Sequence, residues 1–149
     1  MKRPRLKMRL GDLLVHEQII SEKELDTALE KQRETGRKLG ATLIDLGYIT
    51  EHQLLEFLSQ QLKLPLLSIS ERRIPPEVFK LLPEVQARRH RALVIEADDN
   101  EALVGMSDPA DLSSIDAINQ LLAPRQVELA VVPEGELLSA FDNLFRRAK

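Results

Sequence analysis

The sequence predicts an α+β protein: an all-helical tandem-repeat subdomain at the N-terminus, followed by a small α/β subdomain. Three observations carry this reading. A 24-residue unit occurs twice, at Arg9–Gln32 and Lys38–Gln61, offset by 29 residues. Each copy sets a capping box ahead of a leucine-periodic stretch. Beyond Leu64 the pattern changes to short apolar runs broken by prolines and turn residues.

The two copies read RLGDLLVHEQIISEKELDTALEKQ and KLGATLIDLGYITEHQLLEFLSQQ, with eight of 24 positions identical. Each predicts a short helix, a turn and a longer helix. Leu10, Leu13 and Leu14 sit at helical spacing in the first copy, and Leu39, Leu43 and Leu46 in the second. The turns fall on Gln18-Ile19-Ile20 and Gly47-Tyr48-Ile49. Ser21 with Glu24, and Thr50 with Gln53, then make capping boxes that start the longer helices. Leu25, Leu29 and Gln32 share one helical face, and Leu54, Leu58 and Gln61 repeat it. Gly36 is placed to end the first long helix, since glycine takes the left-handed C-terminal conformation without penalty.

Residues 1–64 are thus expected to form the helical subdomain, 65–73 a linker and 74–149 the α/β subdomain. Pro65, Pro75, Pro76 and Pro83 crowd the junction, with room for one short helix near Glu77–Leu82. Arg91–Glu96 and Glu101–Met106 read as strands joined by an Asp98-Asp99-Asn100 turn, a hairpin. Asp111–Leu122 is an amphipathic helix stopped at Pro124. Gln126–Val132 alternates like a strand, and Glu136–Arg147 closes the chain as a helix.

Composition narrows the function. With 43% hydrophobic residues, 149 residues can bury a core without disulfides or metal. Cysteine is absent, which excludes thiol catalysis and thiolate metal sites, and His16, His52 and His90 are scattered. No apolar run approaches the ~20 residues of a membrane span, and the basic stretch after Met1 does not lead into a signal-peptide core. A cytoplasmic protein is expected. Aromatics at 3% and a net charge of −3 argue against base-stacking RNA modules and duplex DNA, so no nucleic-acid polymer is expected as partner. No phosphate loop or dinucleotide fingerprint is present, and no serine, histidine or carboxylate sits in catalytic context, so no catalytic residue and no metal ligand is assigned.

The repeat offers binding chemistry instead. Each copy opens on a cation beside Leu-Gly and closes on glutamine at the end of a leucine-lined face. A glycine admits a close approach, an arginine fork can pair with phosphate or stack on a base, and glutamine can both donate and accept. Packing alone accounts for repeated leucines and glycines, but not for a repeated leading cation or terminal glutamine. A doubled half-site suits a doubled ligand.

The pattern R-L-G-x-x-L, then I, then L-x-x-x-L-x-x-Q, in two copies five residues apart, resembles the MshEN cyclic-di-GMP-binding domain. That domain forms the N-terminal region of type IV pilus extension ATPases, those of MSHA pili included, and of type II secretion ATPases. LVGMSDPADL at Leu103–Leu112 is similar to the α/β part of the same regions. The resemblance implies that cyclic di-GMP is held by Arg9, Leu10, Gly11, Leu14, Leu25, Leu29 and Gln32 of the first motif. From the second motif it implies Lys38, Leu39, Gly40, Leu43, Leu54, Leu58 and Gln61. Outside the motifs Lys7 and Asp108 are further candidate contacts; Asp108, in the turn before Pro109, can accept from a guanine edge or shape that turn. It also implies an ATPase core beyond Lys149 in a hexameric full-length protein, docked on the inner-membrane pilus or secretion platform. The alternative it leaves is an interaction module that docks on that platform without nucleotide. Two positions depart from the pattern. Gln18 stands where the motif favours glycine, which predicts a first turn built differently from the second, and Lys38 stands where arginine leads. The basic leader Lys2–Lys7 and the cluster Arg88–Arg91 are read as either solvated charge or contacts for ligand, lipid or partner.

Overall fold

The computed structural model describes Leu6 and residues 8–147. The repeat folds as two helical hairpins. In the first, α1 (Leu10–His16) turns into α2 (Glu22–Thr35); in the second, α3 (Leu39–Asp45) turns into α4 (Glu51–Leu62). Both capping boxes form. Ser21 Oγ accepts from the Glu24 N–H at 3.0 Å while Glu24 Oε1 accepts from the Ser21 N–H at 2.9 Å, and Thr50 with Gln53 does the same at 3.1 and 2.9 Å. Gly36 ends α2 at φ +73°, and Lys63 ends α4 in the same left-handed region at φ +57°.

The two short turns are built alike, contrary to the expectation from Gln18. Gln18 N–H bonds to Val15 C=O at 2.9 Å and Ile19 N–H to Leu14 C=O at 2.9 Å. Gly47 N–H and Tyr48 N–H make the matching bonds to Ile44 and Leu43, each at 3.0 Å. Gln18 takes φ +61° where Gly47 takes +78°. These bonds satisfy the last carbonyls of the short helices, and the next residues, Ile20 and Ile49, are buried, so the chain must reverse there in either copy. Gln18 bears the left-handed penalty. Gln18→Gly is therefore expected to stabilise the protein by about 0.5–1 kcal/mol, the penalty less glycine's greater backbone entropy. Gly47→Ala should have the opposite sign; urea unfolding of both variants checks the pair.

Beyond the repeat come α5 (Pro76–Phe79) and α6 (Glu84–His90). The sequence did not announce α6, because Ala87 is the one buried residue in it and a single apolar position makes no period. Strands β1 (Ala92–Ala97) and β2 (Glu101–Met106) form the expected antiparallel hairpin. Asp98 Oδ1 accepts from the N–H groups of Asn100 and Glu101, both at 2.7 Å, which closes its turn. Helix α7 (Leu112–Leu122) then crosses over to β3 (Gln126–Val131), which lies parallel to β2, giving the order β1-β2-β3. Helix α8 (Glu134–Arg147) completes the α+β fold.

Among the described residues two apolar clusters form the core. One joins Leu13, Leu14, Ile20, Leu43, Ile49 and Leu58 within the repeat. The other joins Leu93, Val104, Ile118, Leu137 and Phe141 around the sheet. The proline-marked segment between them is tied down on the α/β side. Leu67 N–H bonds to Val131 C=O at 2.9 Å and Val131 N–H to Pro65 C=O at 2.8 Å, extending the β3 edge. Glu136 Oε1 accepts from the Ile69 N–H at 2.8 Å and the Ser68 hydroxyl at 2.9 Å.

Candidate functional site

Each motif begins at the N-terminus of a short helix, and the glycine after its leucine is there for packing. A Cβ on Gly11 would stand 2.6 Å from Leu25 Cδ1 and 3.1 Å from Leu39 Cδ2. On Gly40 it would stand 2.8 Å from Leu54 Cδ2. In each copy the glycine thus lets the first leucine of the following long helix close on the short one. Gly11 also receives Leu39, so the two motifs meet at this seam.

The fourteen motif residues divide by exposure. Leu14 and Leu43 have no exposed surface, and Gly11, Leu25, Leu54 and Leu58 are buried. Leu10, Leu29, Gln32, Leu39, Gly40 and Gln61 are half-buried, and Arg9 and Lys38 are exposed. Leu10, Leu29 and Leu39 pack against the core of the repeat with part of their surface outward. The second group and the two cations are therefore the residues with surface to offer a ligand, while the buried leucines hold them in place from within. Lys7 lies outside the described residues, with the rest of the basic leader save Leu6.

The two leading cations differ in their partners. Among the described residues the Arg9 side chain has no hydrogen-bond or ion-pair partner. Lys38 Nζ lies 2.6 Å from Asp108 Oδ2 and 3.2 Å from Asp111 Oδ2. Asp108 therefore faces the second motif's cation, and Asp111 joins it. Asp111 is also the N-cap of α7, its Oδ1 accepting from the Ser114 N–H at 3.1 Å. The Ser114 hydroxyl, 3.2 Å from Asp111 Oδ2, lies 2.8 Å from His90 Nδ1. An ionised carboxylate only accepts, so Ser114 donates to Asp111 and His90 Nδ1–H donates to Ser114. Asp111 and Ser114 were not identified from the sequence, and His90 only as a member of the Arg88–Arg91 cluster; the one signal for Asp111 is its place immediately before an amphipathic helix.

Burial pulls the Lys38 ammonium down, but the hydrogen bonds and charges of Asp108 and Asp111 outweigh it and hold its pKa above the usual lysine value. Burial pushes the Asp111 carboxyl up, but the Ser114 N–H and the Lys38 ammonium outweigh that and hold it below the usual aspartate value. A depressed carboxylate stabilises the fold above its unfolded pKa of about 4, and that contribution fades as pH falls through the lowered folded value. The raised lysine contributes below its ordinary pKa of about 10.4 and fades as pH rises through the higher folded one. Any stability difference between the parent and Asp111→Asn should accordingly be constant from about pH 5 to 9 and shrink as pH falls below about 4. Urea unfolding across that range measures it.

The cluster Arg88–Arg91 is largely spent on packing. Arg88 bonds to Glu84 Oε2 at 2.9 Å and Asp142 Oδ1 at 2.8 Å, over the Phe141 ring, and Arg91 pairs with Glu134 at 2.9 Å. An open hollow of about 520 Å³ lies against α1 and α2. Asp12, Glu22 and Asp26 line it beside His16, so its charge disfavours an anion. Among the described residues no group of histidines and carboxylates is arranged to hold a metal ion, and no helix is long and apolar enough to cross a membrane.

Comparisons with known proteins agree with this architecture. The chain is 30% identical over 137 residues to the type IV pilus assembly ATPase PilB of Myxococcus xanthus, covering 92% of this chain and 24% of that protein. It thus spans about a quarter of the length of that relative. The structure of MshE with cdg matches with a TM-score of 0.81 and 48% identity, over 91% of this chain and 98% of that one. The N-terminal domain of XpsE shares the fold with a TM-score of 0.73 at 20% identity, over 95% of this chain and 97% of that one. The MshEN domain model matches residues 62–149, so it covers the α/β half, and the repeat lies upstream of it. With more than half of its 149 residues matched, the chain belongs to the MshEN domain family.

Proposed function

We propose that this chain binds cyclic di-GMP on its helical repeat and is the regulatory N-terminal domain of a type IV pilus extension ATPase. The observation that carries the reading is the equivalence of the two copies. Each presents a cation, a half-buried leucine and a half-buried glutamine on a hairpin closed by the same glycine–leucine contact. The similar MshE structure is one with cdg, cyclic di-GMP, and matches 91% of this chain at 48% identity. In this reading Arg9, Leu10, Leu29 and Gln32 contact one half of the dinucleotide, and Lys38, Leu39, Gly40 and Gln61 the other. Gly11, Leu14, Leu25, Leu43, Leu54 and Leu58 shape that surface from beneath.

The same reading takes residues 1–64 as the ligand-holding unit, 65–73 as the connection and 74–149 as the unit that passes on the response. The ATPase core belongs to the rest of a longer polypeptide, in keeping with the 24% coverage of the PilB relative. That core would be hexameric, on the cytoplasmic side of the inner membrane, and ligand binding here would set how it engages the pilus platform and so control pilus assembly.

Calorimetric titration with cyclic di-GMP tests the binding. One dinucleotide per chain is expected, with GTP, ATP and cyclic AMP far weaker, because a mononucleotide fills one half-site and loses the advantage of linkage. Equal binding of ATP or GTP would sink the reading.

A further inference from the structure

Lys38 carries two demands that oppose each other. It opens the second motif, and it also joins the repeat to the α/β unit through Asp108 and Asp111, partners 70 and 73 residues away in sequence. Lys38, Asp108 and Asp111 together bear a net charge of −1 when ionised. A phosphate brought to Lys38 with both carboxylates in place would meet that excess negative charge at close range. Arg9 faces no such competitor among the described residues.

We propose that Lys38 is a contested cation: it clasps the repeat to the α/β unit through Asp108 and Asp111, and the phosphate of the bound dinucleotide competes with Asp111 for it. Resting on the cyclic di-GMP reading above, this makes Asp111 an affinity-setting residue. Binding at the second half-site exchanges a carboxylate–ammonium contact for a phosphate–ammonium contact and loosens the tie between the two units. The clasp has a built support. Asp111 is held by the Ser114 N–H and hydroxyl, and Ser114 by His90 at the end of α6, so the carboxylate is aimed at Lys38 from two elements of the α/β unit. Because the Lys38 side chain remains 66% exposed, a ligand can reach it without dismantling the core.

The decisive substitution is Asp111→Asn. Asparagine caps a helix as well as aspartate does and can still accept from Ser114, so the charge is removed with the cap retained. Cyclic di-GMP is titrated calorimetrically into the parent, Asp111→Asn, Lys38→Ala and the double variant, after their melting temperatures have been compared. Asp111→Asn is expected to bind about fivefold tighter than the parent, at the lower end of ordinary coupling between sites. In the Lys38→Ala background the same change should alter affinity by less than about twofold, because the contested cation is gone. Unchanged or weaker binding by Asp111→Asn, with the parent binding normally, overturns the competition and leaves the ligand assignment standing. A fivefold gain that persists without Lys38 overturns it too, since the effect would then be general charge repulsion. Absence of binding by the parent overturns the ligand assignment and the competition together. Asp111→Ser, which also caps the helix without the charge, serves as the second variant, with the same expected direction and the same dependence on Lys38.

Discussion

Replacing Arg9 by alanine is expected to weaken cyclic di-GMP binding by about 30–150-fold, or roughly 2–3 kcal/mol, the worth of a charged hydrogen-bonding group. Arg9 is exposed at the N-cap of α1, and its side chain makes no cap hydrogen bond to that helix. No partner among the described residues is lost with it, so the melting temperature should hardly move. Lys38→Ala should cost only about 1 kcal/mol, close to what a partly solvated ion pair contributes. The reason lies in the structure: the lysine's charge is already shared with Asp108 and Asp111, and an ammonium lacks the planar fork that lets guanidinium pair and stack. Lys38→Arg should be neutral or tighter. Calorimetry on the three variants decides it. Parent-like binding by Arg9→Ala removes the first motif from the site, and a larger loss from Lys38→Ala reverses the asymmetry.

Leu14→Ala and Leu43→Ala are each expected to cost about 2–5 kcal/mol of folding stability, the transfer term plus the cavity left behind. Both side chains have no exposed surface, at matching positions in the two hairpins. Leu10→Ala, by contrast, removes a half-buried side chain at the outer face. It should cost less than either buried leucine, about 1–2 kcal/mol of stability, because part of its apolar area is still in water, while lowering ligand affinity. Urea unfolding and titration on the same three proteins separate leucines that build the surface from a leucine that belongs to it. A loss of less than about 1 kcal/mol at Leu14 would mean that its neighbours close over the gap, against the packing described here.

The repeat was legible in the sequence because everything that defines it is local. Helical period, capping boxes and chain reversals depend on residues within one or two turns of each other, and Ser21 with Glu24 or Thr50 with Gln53 express that within four positions. The hairpin of β1 and β2 and the helices α7 and α8 were legible for the same reason. Even the first turn, where Gln18 pointed to a difference, follows local hydrogen bonding that overrides the residue's own preference. Tertiary structure alone decided which motif leucines keep an outer surface, since periodicity marks a face but not how deeply a neighbouring hairpin covers it. It alone placed α6, whose single buried alanine carries no pattern, and joined residues 65–67 to the β3 edge. It also brought Asp108 and Asp111 to Lys38, because an ion pair between charges 70 residues apart depends on how two units dock and leaves no trace in the spacing of either.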